Sequence, residues 1–217
     1  PPGRSPRGEG APAPASMSTK QAIRLRIREG RRALAPEWIA VHSDVAQRNL
    51  LDQPEFARAR VVCAYLDMPG EVATGALLAA AYATGKTVAI PALTPERTYL
   101  PVRLDADTPI RYGPFQVPEP ATHEPVELAA IDLVIVPGVA FDAAGGRLGH
   151  GRGHYDRLLA ALAAARGQPP ASLGLAFDFQ IMPQIPMAPH DVRLAGVVTE
   201  TRILRRTPLG PGWPSPG

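Results

Sequence analysis

Residues 145–156 read Gly-Gly-Arg-Leu-Gly-His-Gly-Arg-Gly-His-Tyr-Asp, the densest run of ligand-binding residue types in the chain. Glycines at 149, 151 and 153 let backbone N–H groups approach a ligand closely, because no Cβ intervenes. A Gly-rich turn that feeds a helix N-terminus is a cradle for anions. Arg147, Arg152 and His150 add cationic donors, and arginine can grip phosphate with two parallel hydrogen bonds. The combination reads as a phosphate or nucleotide site. The plainer alternative is a glycine turn born of a compositional bias toward Ala, Gly, Pro and Arg. A strand ahead of the loop and a helix behind it favour the cradle.

Other chemistries fit less well. Thr84-Gly85-Lys86-Thr87 ends like a Walker A loop, but Ala80 stands where the first glycine belongs and a strand follows, so Gly85 reads as a helix stop. A dinucleotide fingerprint built on Gly149 and Gly151 would need glycine at 154, where His154 stands. No Gly-x-Ser-x-Gly elbow occurs. His150 and His154 would share a helical face only in a helix starting before 150, and the flanking glycines argue against one, so a phosphate-facing role outranks zinc ligation. Asp156 is a hard oxygen donor beside the cradle and a candidate Mg²⁺ ligand. It is equally an acidic residue in a first helical turn, where the dipole favours it.

The elements that must position these residues alternate. A helix follows Ser18 or Thr19 as cap, with Ile23, Ile27 and Leu34 on one face, and a second starts at Pro36. Residues 61–66 read as a buried strand, Pro69-Gly70 as a turn, and Glu71 to Thr84 as a helix. Strands follow at Thr87–Ile90, ended by Pro91, and at Thr98–Leu104; residues 105–130, rich in proline, read as mostly irregular. Residues 131–137 form a fully apolar strand, a helix runs from about Gly153 to Ala165, and the last strands are Ser172–Phe177 and Leu194–Val198. Continuously apolar strands alternating with helices predict a mostly parallel sheet covered on both faces. Sites in such sheets lie beyond the carboxyl ends of the strands, which is where the Gly-rich loop falls.

Composition narrows the classes. The chain has 217 residues and a net charge of +3 with neutral His; 21 of its 23 basic residues are arginine, leaving Lys20 and Lys86 as the lysines. Arg4, Arg7 and Glu9 account for one unit of that charge, so the body carries about +2, which is no footprint for nucleic acid. One cysteine, Cys63, excludes an intrachain disulfide and a cysteine-based zinc site. No apolar run reaches the roughly 18 residues of a membrane span, and the N-terminus lacks the apolar segment of a secretory signal. The expectation is a cytoplasmic α/β protein. Its domain spans 18–206, between disordered tails at 1–17 and 207–217, with Met17 a candidate start.

Taken together the residues resemble the 5-formyltetrahydrofolate cyclo-ligase family. Pro137-Gly138-Val139-Ala140-Phe141-Asp142, then Gly146-Arg147-Leu148-Gly149-x-Gly151-x-Gly153-x-Tyr155-Asp156-Arg157, looks like its signature, and the likeness runs from about 19 to 200. Lys20-x3-Arg24 matches the family's N-terminal pair that meets ATP, and His190-Asp191 a segment whose Asp is associated with Mg²⁺. Leu66 and Glu71 match its folate-contacting segment, and Phe115 falls where an aromatic lies near the pterin. His154 replaces a usual aromatic, Arg152 a frequent Lys or Gly, His150 a frequent Arg, and Ala195 a common Asp.

The resemblance implies a three-layer α/β/α fold with a mostly parallel central sheet, NagB/RpiA/CoA-transferase-like. It implies an ATP- and Mg²⁺-dependent ligase making 5,10-methenyltetrahydrofolate from 5-formyltetrahydrofolate through a phosphorylated formyl oxygen. ATP would meet Lys20, Arg24, Arg147, Gly149, His150, Gly151, Arg152, Gly153, His154 and Tyr155. The substrate would meet Leu66, Glu71, Phe115 and Tyr155, and Mg²⁺ would meet Asp156 and Asp191. Arg152 and Tyr155 are the expected catalytic residues, and the expected state is a monomer with no membrane or nucleic-acid partner. For Lys20 the plainer reading is a solvated helix residue, and for Glu71 a helix N-terminal carboxylate. Two other readings stay open: another ATP-dependent ligase or kinase on the same cradle, and a non-catalytic nucleotide or RNA binder.

Overall fold

The structure, a computed structural model, describes residues 19–96, 98–113, 117–121 and 123–206. The expected tails, the Ser18 cap and Phe115 lie outside the described residues. The chain opens with helices α1 (Thr19–Arg32), α2 (Pro36–Leu51) and short α3 (Pro54–Arg58). Strand β1 (Val61–Cys63) leads through α4 (Gly75–Ala83) to β2 (Thr87–Leu93) and β3 (Tyr99–Arg103). A small hairpin, β4 (Ile110–Tyr112) and β5 (Pro118–Pro120), precedes β6 (Leu133–Val136). A second hairpin, β7 (Ala140–Phe141) and β8 (Arg147–Leu148), runs into α5 (His154–Arg166). Strands β9 (Ala171–Leu175), β10 (Gly196–Val198) and β11 (Ile203–Arg205) finish the chain.

One seven-stranded sheet has the order β11-β10-β9-β6-β1-β2-β3. The five inner strands are mutually parallel, and β3 and β11 close the edges antiparallel. The fold is therefore α/β with a mostly parallel central sheet. Side chains alternate across it. Val62, Val88, Leu133 and Ile135 pack with Ala46 and Leu50 of α2 and Leu77 and Ala81 of α4. Cys63, Ala89, Val134 and Val136 pack on the other face with Leu158, Leu159 and Leu162 of α5. Burial pushes the Cys63 thiol up to about 12, so it serves as a small core residue.

Several elements differ from the sequence expectation. Residues 71–74 are not helical: the Tyr65 hydroxyl donates to Val72 carbonyl, and the Leu77 N–H, which a longer helix would give to Ala73 carbonyl, goes to Gln47 Oε1. Met68 carbonyl accepts from Glu71, Ser43 Oγ from Ala73 and Asp67 Oδ1 from Thr74. The helix therefore starts at Gly75, and Glu71 is a buried loop residue. Thr19 lies within α1 and is not its cap. Strand β1 is shorter than 61–66, since Thr74 Oγ1 donates to Tyr65 carbonyl and the chain turns away. Pro91 does not end β2, which continues to Leu93. Pro91 lies beyond the stretch paired with β1 and faces Pro101, so no ladder bond needs its missing N–H. Residues 105–130 contain the β4–β5 hairpin.

The chain moves from β1 outward through β2 and β3, then returns to β6 on the other side of β1. The topological switch point lies between β1 and β6, where sheets of this kind hold their ligands.

Candidate functional site

At that switch point a cavity of about 550 Å³ opens at the carboxyl ends of the strands. Tyr65 and Leu66 reach it from the end of β1, Pro91 and Leu93 from β2, and Pro137 and Gly138 from the end of β6. Its size suits a ligand of cofactor dimensions.

The Gly-rich segment folds as the β7–β8 hairpin and a turn into α5. Asp142, fully buried, ties the hairpin together. Its Oδ1 accepts the N–H groups of Ala144 (2.9 Å) and Gly146 (2.7 Å), and its Oδ2 that of Ile185 (2.7 Å). A Cβ on Gly145, whose φ is +79°, would collide with the Leu194 carbonyl oxygen. Gly145→Ala is accordingly expected to lower stability by about 3 kcal/mol, read as a fall in the urea midpoint. Gly151 and Gly153 take φ of +99° and +64°, with Gly153 as the N-cap of α5, so glycine is required to swing the loop into the helix.

Two other chain segments converge on this loop. Helix α1 packs against the β7–β8 hairpin, anchored by Ile27 against Val139, Leu148 and Ile185. From it Arg24 Nε donates to Gly149 carbonyl (2.9 Å). Segment 188–194 is stitched on by the Leu194 N–H to Gly145 carbonyl (2.8 Å) and the Val192 N–H to Asp156 Oδ1 (3.1 Å). Lys20 Nζ then meets Asp191 Oδ2 at 3.0 Å. Burial works to raise the Asp191 carboxyl, but the Ala188 N–H and Lys20 outweigh it and hold it below the usual range. Beneath the loop Arg147 Nη2 meets Asp156 Oδ2 at 2.7 Å, with both side chains largely buried and the Arg147 guanidinium 5.6 Å from the Tyr155 ring. The Arg147 Nε has no partner.

Every described residue expected at a site lines this one cavity. Lys20 and Arg24 come from α1, Leu66 and Glu71 from the loop after β1, and Arg147 from β8. Gly149, His150, Gly151, Arg152 and Gly153 form the loop, His154, Tyr155 and Asp156 open α5, and Asp191 sits on the stitched segment. His150 precedes α5 and His154 is its first residue, so the two do not share a helical face. Burial, then Arg31, Arg24, Arg28 and Arg147, holds His150 below its ordinary range.

Glu71 is buried on the wall. Met68 N–H donates to its Oε2 (3.2 Å), and Arg31 Nη1 lies 3.7 Å from Oε1. Burial raises its carboxyl above the ordinary value, with Arg31 opposing. Sequence reasoning missed Arg31, Tyr99 and Glu119. Tyr99 packs edge-on to Tyr155 at 5.3 Å between ring centres and lies 5.0 Å from the His154 ring. Glu119 is a second buried carboxylate on the cavity wall, 3.7 Å from Arg111. Only the short β4–β5 hairpin delivers Glu119, and its proline-rich sequence hides the strand signal.

The family described as 5-formyltetrahydrofolate cyclo-ligase matches residues 16–200. A Haemophilus influenzae protein named 5-formyltetrahydrofolate cyclo-ligase is 32% identical over 186 residues, covering 82% of this chain and 96% of that protein. The Saccharomyces cerevisiae protein of that name is 31% identical over 202 residues, covering 84% and 95%. A solved structure of Aquifex aeolicus 5,10-methenyltetrahydrofolate synthetase superposes with a TM-score of 0.75 at 29% identity, covering 86% of this chain and 92% of that one. Among the described residues no helix is long and apolar enough to cross a membrane.

Proposed function

The chain belongs to the 5-formyltetrahydrofolate cyclo-ligase family, and from that premise we propose that it is an ATP- and Mg²⁺-dependent enzyme closing 5-formyltetrahydrofolate to 5,10-methenyltetrahydrofolate. The observation that carries the reading is the shared cavity. A cationic Gly-rich cradle and a buried carboxylate, Glu71, open onto one space at the switch point.

The reaction needs little covalent help from protein. The γ-phosphoryl group of ATP passes to the formyl oxygen and ADP leaves. N10 attacks the formyl carbon, the carbon–oxygen bond to phosphate breaks, and the N10 proton ends on the released phosphate. Such transfer rests on positioning and on neutralising charge. Lys20, Arg24, Arg147 and the loop N–H groups hold the triphosphate, with His150 and His154 on the loop walls. Arg152 neutralises the transferring phosphoryl group. The donor set fits Mg²⁺, which needs one or two carboxylates beside substrate phosphates. Asp191 and Asp156, joined through the peptide that carries the Val192 N–H, would hold it. Bound there, Mg²⁺ would supply charge neutralisation on the phosphates.

Leu66, Phe115 and Glu71 bind the pterin, Glu71 as acceptor. Burial, then neighbouring Tyr99, Cys63 and Glu71, pushes the Tyr155 phenol well above its ordinary 10. Tyr155 therefore keeps its proton and acts as a donor beside the transfer centre, not as a base. We propose a cytoplasmic monomer whose domain runs over 18–206, with no nucleic-acid or membrane partner.

The test is absorbance at the methenylfolate band in purified protein given 5-formyltetrahydrofolate, ATP and Mg²⁺. The expected trace rises only with all three present; a flat trace from folded, ATP-binding protein removes the reading. Glu71 adds a pH signature. Its raised carboxyl places the acid limb of kcat/KM for the folate above pH 4.5, and Glu71→Gln is expected to abolish that limb while raising KM. In stability the sign is opposite to that of a salt-bridged carboxylate. Between 4.5 and its raised value the folded state holds the extra proton, so Glu71 lowers stability as pH rises through that window.

A further inference from the structure

A second cavity, of about 440 Å³, lies on the outer side of the first, between α1, the start of α2 and the Pro69-Gly70 turn. Arg31 of α1 lines this outer cavity and not the first, whereas Glu71 lines the first and not the outer one. The two side chains meet in the wall between, Nη1 to Oε1 3.7 Å apart, with side-chain exposures of 13% and 9%. Arg31 Nη2 donates to Gly138 carbonyl, beyond the end of β6, at 2.8 Å. Its stem packs against the turn that leads into Glu71: a Cβ on Gly70, whose φ is +81°, would stand 3.3 Å from Arg31 Cβ. Arg31 thus ties α1, the end of β6 and the loop after β1.

The oxygens of Glu71 are used unequally. Met68 N–H occupies Oε2. At 3.7 Å Arg31 is too far to donate a hydrogen bond, so among the described residues Oε1 accepts none. Arg31 therefore attracts the carboxylate without taking the oxygen a ligand would use. Burial works against the Glu71 charge and Arg31 for it. The other groups facing Glu71 are Asp67 on its own loop, which repels it, Tyr65 beyond the end of β1, Tyr99 of β3 and Tyr155 of α5. Burial lifts all three phenols above their ordinary range, so they stay neutral and Arg31 is the cation of the group.

We propose that Arg31 is a positioning residue for the folate: its stem braces the turn, and its guanidinium, from behind the wall, holds the Glu71 carboxylate where the N–H groups of the pterin meet it. The assignment rests on the proposed function and deepens it. Arg31 does not reach the first cavity, so it acts through Glu71.

The experiment measures kcat/KM for 5-formyltetrahydrofolate against pH in wild type, Arg31→Gln, Glu71→Gln, the double variant and Arg28→Gln. Gln180 also donates to Gly138 carbonyl, at 2.9 Å, and Ile27 anchors α1, so Arg31→Gln folds. Arg28 lines the outer cavity, is not among the charges acting on Glu71, and controls for lost charge. In Arg31→Gln the acid limb is expected at higher pH than in wild type, because the opposition to burial is gone. At neutral pH KM for the folate should rise about tenfold, with kcat and KM for ATP held. In the Glu71→Gln background the same substitution should cost nothing further, since the charge it served is absent. Arg28→Gln should match wild type. A limb that stays in place in Arg31→Gln overturns the proposal. So does an equal loss in both backgrounds, which makes Arg31 a structural strut only, or a loss that falls on KM for ATP. Failure of the functional reading looks different: no methenylfolate forms with wild type. The Glu71 carboxyl is then titrated by ¹³C NMR of glutamate-labelled protein, its signal being the one missing in Glu71→Gln. A midpoint higher in Arg31→Gln than in wild type and Arg28→Gln supports the proposal. The same midpoint in all of them overturns it.

Discussion

Asp156→Ala is expected to lower stability by about 3–5 kcal/mol and to abolish turnover. The Arg147 side chain is 5% exposed and that of Asp156 13%. Removing the carboxylate strands a buried guanidinium whose Nε already lacks a partner. It also frees the Val192 N–H, loosening the segment that carries Asp191. For a domain of this size the melting temperature should fall on the order of 10 °C. The two effects separate in a second variant. Arg147→Met/Asp156→Leu replaces the pair with apolar residues, which is often neutral or stabilising. Its melting temperature should recover toward wild type while activity stays absent. Recovery of activity as well would mean that the pair is structural only and that the triphosphate is held elsewhere.

Lys20→Met should behave in the opposite way. Lys20 is 32% exposed, so its bond to Asp191 contributes well under 1 kcal/mol of stability after solvent screening. Its expected role is at the triphosphate, where a charge-assisted contact is worth about 1.5–3 kcal/mol. kcat/KM for ATP should therefore fall about 10- to 100-fold, with KM for 5-formyltetrahydrofolate and the melting temperature held. The loss also has a pH side. A depressed carboxyl stabilises the fold above its unfolded value and loses that contribution as pH falls through the folded one. Without Lys20 the Asp191 carboxyl moves upward, so acid unfolding should begin at slightly higher pH. A wild-type KM for ATP in Lys20→Met would remove Lys20 from the nucleotide site and leave it a tie for segment 188–191.

The parallel sheet was legible because its strands are continuously apolar, and the Gly-rich loop because five glycines within nine residues have few other uses. The start of α4 was not. Gln47 of α2, thirty residues away, captures the Leu77 N–H that would have extended the helix back toward Glu71, and the Tyr65 hydroxyl takes the Val72 carbonyl. Tertiary partners overrode local pattern there. The same misreading made Glu71 a helix-terminal carboxylate, whereas it is a buried group on the cavity wall. Arg31 was invisible for a related reason: in an arginine-rich helix nothing local marks the one that turns inward to Glu71 and Gly138. Asp142 stood within a recognisable motif, but its task, gathering three N–H groups under the hairpin, shows only in three dimensions.

The most direct test of the account follows the formyl oxygen. 5-Formyltetrahydrofolate labelled with ¹⁸O in the formyl group is turned over with ATP and Mg²⁺, and the released phosphate is weighed by mass spectrometry. Transfer of phosphate to that oxygen, followed by ring closure, predicts one ¹⁸O in each phosphate formed, in step with the rise of the methenylfolate band. Unlabelled phosphate beside a rising band would mean that ATP is hydrolysed apart from ring closure, and the phosphorylated formyl group would have to be abandoned.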